Sequence, residues 1–234
     1  MMQQVLSPIG SEALDSPALD PQMTRATLSD IARCNLLFGG RSAVVYGVSR
    51  VTEGIRPERA LTLLDVGAGL GDVAHYLERG WRGRRNGLRA VALDWHAEAT
   101  RLCGERDLLA VQGDAMRLPL ADRSVDVAVA SQLLHHFSRA AAIEVVRELD
   151  RVARMGVVIA DLRRSRLAAW GIWIAAHALR FHSVTRQDGV TSVRRGYKRH
   201  ELSELLSEAG VEARVAHRPG FRIVATWRVN GAHG

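Results

Sequence analysis

Short apolar runs alternate with amphipathic segments through the middle of the chain. The apolar runs are nearly continuous, as expected for strands that are buried on both faces. They cover residues 61–66, 88–94, 108–112, 125–131 and 156–161. The segments between them, 70–79 and 140–154 among them, repeat apolar residues at the helical period. This alternation predicts βαβ units, a parallel sheet and helices on both faces of that sheet.

The amino-terminal flank has a different pattern. Residues 1–22 contain three prolines and no sustained period, which predicts a loose or capping arm. Residues 24–51 predict helices broken at Gly39–Gly40, and Thr24 or Ser29 could begin the first of them.

The carboxyl-terminal flank begins with an apolar stretch over 167–179 and a polar segment over 182–197. A helix and two strands of a hairpin should follow, over 201–209, 211–215 and 222–229. These patterns predict an α/β protein with a doubly wound, seven-stranded, mostly parallel sheet.

We predict two regions along the chain. An amino-terminal arm and helical cap should occupy residues 1–55. An α/β domain should occupy 56–234, with a helical lid inserted at about 165–200, after the fifth strand.

Composition indicates an ordinary globular protein. The 234 residues are 47% hydrophobic and 24% charged, enough for one layered core. Cys34 and Cys103 lie far apart without metal-ligand spacing, so we expect reduced thiols. The first residues lack a basic region followed by an apolar run, so we expect a cytoplasmic protein. The apolar stretch 167–179 is too short to span a bilayer.

The net charge of +7 by itself favours nucleic acid or an anionic membrane as a partner. However, Lys198 is the only lysine, a bias that high-GC coding produces without any binding role. The arginines are scattered through predicted helices and loops, where a solvated surface accounts for them. The charge pattern therefore disfavours nucleic acid as a partner.

A glycine-rich turn directly follows the first predicted strand. It comprises Gly67, Gly69 and Gly71, with Asp65 ahead of it inside the strand. Glycine is needed where the backbone turns sharply and where a ligand approaches the main chain closely. The G-x-G-x-G spacing differs from the G-x-G-x-x-G of dinucleotide sites. With no pyrophosphate to hold, such a turn among acidic groups suits a cationic sulfonium amino acid.

Acidic residues also end the later strands. Asp94 could accept hydrogen bonds from two ribose hydroxyls, or it could cap a helix that starts at His96. Asp114 follows the third strand, where a carboxylate could accept from an adenine amino group. The fourth strand ends at Ser131 and leads into the same crevice. Carboxyl ends of parallel strands meet at one edge of the sheet, so we expect these groups to converge.

Four runs along the chain resemble class I S-adenosylmethionine (SAM)-dependent methyltransferases, closest to the ubiquinone/menaquinone-type small-molecule branch. They are LLDVGAGLGD, VALDWH, QGDAMRLPLADRSVDVAVASQLLHHF and RVARMGVVIADL. The flanking NLLFGG and QDGVTSVRRGY resemble bacterial methyltransferases that accompany type III polyketide synthases. The resemblance implies a Rossmann-like fold, SAM as cofactor and S-adenosylhomocysteine as product.

The resemblance also implies roles for individual residues. Those implied to bind the cofactor are Asp65, Gly67, Gly69, Gly71, Asp94, Trp95, Asp114, Ala115 and Ser131. Of these, the glycines would line the methionine part and Asp94 would hold the ribose. Asp114 and Ala115 would hold the adenine, and Asp65 and Ser131 would border the amino-acid end.

The acceptor should lie beyond the fourth strand. His135 and His136 follow this strand, and histidine suits a general base near neutral pH. Either could instead pack under the loop. Further residues near the predicted rim and lid could touch the acceptor: Asp161, Arg163, His182, Asp188, Arg194 and Tyr197. Each could also be structural, Asp161 as a helix cap and the lid residues as solvated loop.

Trp170 and Trp173 lie in the apolar stretch that precedes the polar segment. That stretch could be a pocket wall that binds the acceptor, a homodimer face, a membrane-dipping surface or a buried core helix. As a pocket wall it would indicate an apolar, aromatic acceptor.

Three functions remain open from the sequence. The first is methyl transfer to oxygen or carbon of a small phenolic, quinone or polyketide acceptor. The second is RNA or DNA modification, but Ser131-Gln132-Leu133-Leu134 stands where base amino-methylating enzymes carry an Asn/Asp-Pro-Pro-aromatic motif. The third is SAM binding with different chemistry. No metal ligands cluster along the sequence, so we expect a metal-independent reaction.

Overall fold

One sheet runs through the protein. A computed structural model describes residues 6–16, 18–55, 59–81 and 87–229. The strands are β1 (Leu61–Val66), β2 (Leu88–Asp94), β3 (Leu109–Gln112), β4 (Val125–Ser131), β5 (Ala153–Leu162), β6 (Arg214–Arg218) and β7 (Arg222–Arg228). They form a seven-stranded sheet in the order β3-β2-β1-β4-β5-β7-β6. The predicted fold class is confirmed.

The sheet changes its winding direction between β1 and β4. Strands β1 to β5 pair in parallel, whereas β7 is antiparallel to β5 and to β6. From β1 the chain first winds outward to β2 and β3, and it then returns to β4 on the other side. Ligands of open α/β sheets bind at the carboxyl ends of strands where the order reverses in this way. The crevice at the ends of β1, β2 and β4 is therefore the expected site.

Helices cover both faces of the sheet. They are α1 (Pro21–Leu37), α2 (Gly40–Val51), α3 (Asp72–Trp81), α4 (Ala97–Gly104), α5 (Arg139–Val152), α6 (Arg166–Ala178), α7 (Ser183–Arg195) and α8 (Arg199–Glu208). Neighbouring side chains of β1 point to opposite faces. Leu64 packs in a core with Leu149 of α5 and Leu205 of α8, whereas Leu63 packs in a second core with Val48 of α2 and Leu77 of α3.

Several predicted boundaries are wrong, each for a local reason. The first helix begins at Pro21, since the Asp20 carboxylate accepts hydrogen bonds from the N–H groups of Gln22 and Met23 at 2.9 and 3.1 Å. It does not begin at Thr24 or Ser29. The first strand of the hairpin begins three residues later than predicted, at residue 214. The polar segment over 182–197 is mostly the helix α7, in agreement with the predicted helical lid.

The amino-terminal arm is a cap. Leu6 forms a bridge with Phe137, and the N–H of Ser7 donates to the carbonyl of His136 at 2.8 Å. Glu12 and Asp15 are buried beneath α7. The arm therefore reaches the carboxyl ends of the strands. Within the described ranges, no helix is long and apolar enough to span a membrane.

Two glycines inside helices give a matched test of the packing. A Cβ on Gly47 of α2 would lie 2.2 Å from Val158 Cγ1 in β5, whereas one on Gly171 of α6 would meet nothing within 4 Å. We expect Gly47→Ala to lower the free energy of unfolding by about 1–3 kcal/mol through overpacking. Gly171→Ala should raise it by up to about 1 kcal/mol through helix propensity. Urea denaturation measures both, and equal effects would contradict this packing.

Candidate cofactor and acceptor site

The glycine turn bends the chain back from the end of β1. Gly67 has a φ of +71°, which favours glycine, and a Cβ there would lie 2.7 Å from Leu133 Cδ1. The N–H of Gly67 donates to the carbonyl of Leu93 at 2.8 Å, so the turn is tied to β2. The main chain can therefore border a ligand without side chains in between.

A cavity of about 540 Å³ opens at this turn. It is bordered by the ends of β1, β2 and β4, by the loop after β3, by α1 and by the arm. Of the nine residues predicted to bind the cofactor, eight line it: Asp65, Gly67, Gly69, Asp94, Trp95, Asp114, Ala115 and Ser131. We call it the cofactor cavity.

Gly71 is the exception. It does not line the cofactor cavity, and a Cβ on it would lie 2.4 Å from Leu108 Cδ1 and 3.1 Å from Cys103 Sγ. Its role is close packing of the turn against α4. The Cys103 thiol donates to the Gly69 carbonyl at 3.3 Å, and burial raises its pKa to about 12. Cys103 and Cys34 are both free thiols, as predicted.

The buried carboxylate of Asp94 organises the centre of the cofactor cavity. Its Oδ2 accepts from the N–H of Gly69 at 2.9 Å and its Oδ1 from the N–H of His96 at 2.9 Å. It is not the cap of the next helix, because α4 begins at Ala97 with His96 in the cap position. Burial raises the pKa of Asp94, although these two N–H groups oppose the rise. Its position at the end of β2 fits a ribose diol.

Asp65 lies deeper, and only one of its two carboxylate oxygens is engaged, by the backbone N–H of Ala74. It is 1% exposed, and its Oδ1 has no hydrogen bond among the described residues. Burial and the neighbouring charges of Asp72 and Asp94 raise its pKa to about 8. Ser131 Oγ, also on the cavity wall, is likewise without a partner. An acid in this position fits a cationic ligand group, such as the ammonium of SAM.

The other end of the cofactor cavity is more open. Trp95 and Asp114 are exposed residues on its wall, and Ala115 is buried there. Asp114 Oδ1 accepts from the N–H of Met116 at 2.8 Å, which leaves its second oxygen for a ligand. Met116 also lines the cavity, an apolar contact that the sequence analysis missed. This end suits a flat aromatic base.

A second cavity of about 300 Å³ adjoins the first and shares Leu14, Ile31 and Gln132 with it. Most of its wall is apolar and comes from α1, α6, α7 and the start of β7. We call it the acceptor cavity. Helix α6 forms part of its wall through Ala168, Gly171 and Ile172.

Trp170 and Trp173, which the sequence predicted to contact the acceptor, do not face either cavity. They are 66% and 51% exposed and line neither cavity, because they lie on the outer face of α6. Of the four alternatives, a buried core helix is excluded by this exposure, and the helix lines the acceptor cavity through Ala168, Gly171 and Ile172.

The other predicted acceptor residues separate into two groups. Asp188 lines the acceptor cavity. The remainder line neither cavity: Asp161, Arg163, His182, Arg194 and Tyr197. Asp161 is fully buried and pairs with the imidazole of His135. His182 is the N-cap residue of α7. The Tyr197 hydroxyl donates to the carbonyl of Leu134 at 3.1 Å.

Arg163 is half-buried, whereas Arg194 is exposed. The Arg163 guanidinium lies 5.1 Å from the centre of the Phe221 ring. Arg194 is exposed on α7, and the next residue, Arg195, is the one that turns inward.

The two histidines differ in what they face. His135 is buried, with Nδ1 2.6 Å from Asp161 Oδ1 and Nε2 3.8 Å from Glu12 Oε1, and it lines neither cavity. His136 lines the cofactor cavity, and its Nδ1 lies 2.8 Å from Asp15 Oδ1. Burial opposes protonation of His136, but the charge of Glu12 and the hydrogen bond with Asp15 raise its pKa overall.

A buried arginine joins the arm to the lid. Arg195 of α7 donates to Glu12 at 3.1 Å, to Asp15 at 2.9 Å and to two arm carbonyls. Ser192 Oγ donates to Glu12 at 2.8 Å. We call Glu12, Asp15, Ser192 and Arg195 the arm clamp. Sequence reasoning missed it, and the only signal was the pair of acids in an otherwise loose arm.

The fold also brings together three potential metal ligands, Glu12, His135 and His136, whose donor atoms lie within 4.8 Å of one another. The sequence showed no such cluster. However, Glu12 is already paired with Arg195, and His135 Nδ1 faces Asp161. A cation here would have to compete with the arginine, so we do not treat the cluster as a metal centre.

Part of the chain matches a known protein family. Residues 64–160, from β1 to β5, match a family model described as a methyltransferase domain. Among curated proteins, no sequence match is found. The matched segment contains the glycine turn, Asp94, Asp114, Ser131 and the two histidines.

Solved structures share the fold. A SAM-dependent methyltransferase from Aquifex aeolicus is 20% identical with a TM-score of 0.62, over 90% of this chain and 98% of that one. A mitomycin 7-O-methyltransferase is 19% identical with a TM-score of 0.63, over 94% and 61%. Human N-acetylserotonin methyltransferase in complex with SAM is 13% identical with a TM-score of 0.61, over 90% and 56%. Together, these structures show that the chain shares the fold of SAM-dependent methyltransferases.

The arm clamp can be tested with two adjacent arginines. Arg195→Met should leave Glu12 and Asp15 buried without their cation, which costs about 3–5 kcal/mol of stability. Arg194→Met, at the exposed neighbouring position, should change stability by less than about 0.5 kcal/mol. Urea denaturation measures both, and limited proteolysis should cut the arm faster only in Arg195→Met. Similar behaviour of the two variants would refute the clamp.

Proposed function

We propose that this protein transfers the methyl group of SAM to an oxygen or carbon of a small aromatic acceptor of the phenolic, quinone or polyketide type. One observation carries the proposal. An acid-lined cofactor cavity and an apolar cavity adjoin, and they share Leu14, Ile31 and Gln132. A cofactor in the first and an acceptor in the second would meet at these shared residues.

The shape of the acceptor cavity supports a small molecule. Its volume of about 300 Å³ is at the lower end of ligand pockets, which hold roughly 300–1,000 Å³. Ile172, Phe181 and Phe221 give it an apolar wall suited to a ring system. The pocket is built from helices of this chain, which favours an acceptor that enters whole over a large polymer.

The charge distribution also argues against a nucleic acid acceptor. Many arginines are engaged with acids on their own surface, including Arg101 with Glu98, Arg147 with Glu144 and Arg139 with Glu208. Their charge is locally balanced and does not form a free phosphate-binding stripe. The positive net charge therefore does not require a nucleic acid partner.

The residues of the site would act mainly by alignment. SAM supplies an electrophilic methyl group on its sulfonium. Asp94 would hold the ribose, and Asp65 with Ser131 would hold the amino-acid end. The arm and α7 would exclude water from the point where the cavities meet. Alignment of a nucleophile with the reacting carbon can supply much of the barrier reduction.

Both imidazoles that could remove a proton from the acceptor face carboxylates. We assign the base role to His136, which lines the cofactor cavity, and a positioning role to His135 on Asp161. The raised pKa of His136 predicts that turnover increases with pH through a midpoint above the ordinary value of 6.5.

The proposal is tested by incubating the protein with SAM and a panel of phenols, quinones and aromatic polyketides, followed by mass spectrometry. We expect a mass gain of about 14 Da, one CH2, on at least one member, unchanged by EDTA. Asp94→Ala should weaken SAM binding by more than about a hundredfold and abolish the gain. Asp122→Ala, at an exposed aspartate, should leave both unchanged.

The histidine assignment is tested with the same acceptor. His136→Gln should lower kcat by about 10²–10⁴-fold and remove the pH midpoint while SAM affinity is retained. Full turnover in both His136→Gln and His135→Gln would leave alignment as the whole mechanism. SAM binding without any methylated product, or methylation of RNA instead, would contradict the proposed acceptor class.

A further inference from the structure

A second buried arginine lies in the wall of the acceptor cavity. Arg222 is the first residue of β7 and is 3% exposed. Burying a guanidinium is unfavourable unless an anion compensates for its lost hydration. Arg222 therefore requires an anionic partner, either from the protein or from a ligand.

The partners of Arg222 in the described part of the chain are neutral. Its Nε donates to the carbonyl of Phe38 at 3.1 Å, and its Nη1 donates to Gln132 Oε1 at 2.8 Å. No described carboxylate forms an ion pair with it. The contrast is Arg195, equally buried, which is matched by both Glu12 and Asp15. The fold therefore neutralises one buried arginine and leaves the other without an anion.

Arg222 keeps its charge at neutral pH. Burial lowers its pKa, but only to about 10. The neighbouring thiol of Cys34 is neutral at that pH, because burial raises its pKa to about 11. A positive charge thus borders a mostly apolar cavity. The buried Asp161 favours this charge but forms no ion pair with Arg222 among the described residues.

The acids of the acceptor cavity are engaged elsewhere. Glu12 accepts from Arg195 and Ser192, and Asp188 accepts from the N–H of Ala13 at 2.9 Å. Neither is paired with Arg222. The charge that remains for a ligand of this cavity is therefore the guanidinium.

We propose that the acceptor carries an anionic oxygen, a carboxylate or a phenolate, which binds the guanidinium of Arg222. This inference rests on the proposed function, since it assigns the methyl acceptor to this cavity. A guanidinium presents paired N–H donors that fit an oxyanion, and a dry pocket strengthens the contact. Gln132 holds Arg222 and also lines both cavities. The anion would therefore bind beside the point where the two cavities meet.

The protein is first titrated with S-adenosylhomocysteine by calorimetry. Matched probes are then titrated into the protein while it is saturated with that product. One pair is 1-naphthoate and 1-naphthamide, and the other is 4-nitrophenolate and 4-nitroanisole. The first pair detects a carboxylate site and the second a phenolate site. We expect at least one anion to bind about tenfold or more tightly than its neutral counterpart.

Two variants assign that preference to Arg222. Arg222→Gln removes the cation, and Gln132→Glu keeps the arginine but places a carboxylate on it. In both variants, the anion and its neutral counterpart should bind with about equal affinity. If Arg222→Gln does not fold, Gln132→Glu still tests the role of the arginine. Arg147→Gln, at an exposed arginine of α5 paired with Glu144, should retain the full preference.

The outcomes separate the two proposals. Binding of S-adenosylhomocysteine without any anion preference, or with a preference that survives in a folded variant, would overturn the role of Arg222 and leave the cofactor site intact. Failure to bind any probe would also count against it. Failure to bind S-adenosylhomocysteine would overturn the proposed function itself.

Discussion

A pair of buried acids at the switch point of the sheet is the constraint on which the site depends. Asp65 and Asp94 end neighbouring parallel strands, so their carboxylates share one small, poorly hydrated edge. Burial raises the pKa of both, and the charges of Asp72 and Asp94 raise that of Asp65 further. The charge of Asp72 is balanced by an ion pair with Arg41. Asp65 has no cationic partner among the described residues. A cation in the cofactor cavity would favour the ionised form of Asp65, and SAM carries two positive groups.

The acceptor side depends on a different balance of charge. The arm clamp neutralises Glu12 and Asp15 with Arg195 and so closes the arm over the ends of the strands. A hydrogen-bonded chain then crosses between the cavities, from Asp72 through Asn35 and Gln132 to Arg222. Charge is therefore negative where the cofactor should bind and positive where the acceptor should bind. A cationic donor and an anionic acceptor would be brought together by this arrangement.

The sequence predicted which strand-end residues meet at the cofactor cavity, but not which residues line the acceptor cavity. Strand ends converge in any parallel sheet, so local pattern was enough to bring Asp65, Asp94 and Ser131 together. The arm clamp joins residues about 180 positions apart, which no local pattern records. Helix α7 is polar on most sides, so the sequence could not distinguish Arg195 from Arg194. Likewise, the size of Trp170 and Trp173 suggested burial, but hydropathy alone does not give the rotation of a helix.

The most direct test of the central claim is calorimetric titration with SAM in two buffers of different ionisation enthalpy. Below a pH of about 8, Asp65 is protonated in the free protein, and a bound ammonium should lower its pKa and release that proton. The account predicts binding with a buffer-dependent heat, and an affinity that increases as the pH approaches about 8. Asp65→Asn should lose the proton release. Absence of SAM binding, or binding with the same heat in both buffers, would contradict the account.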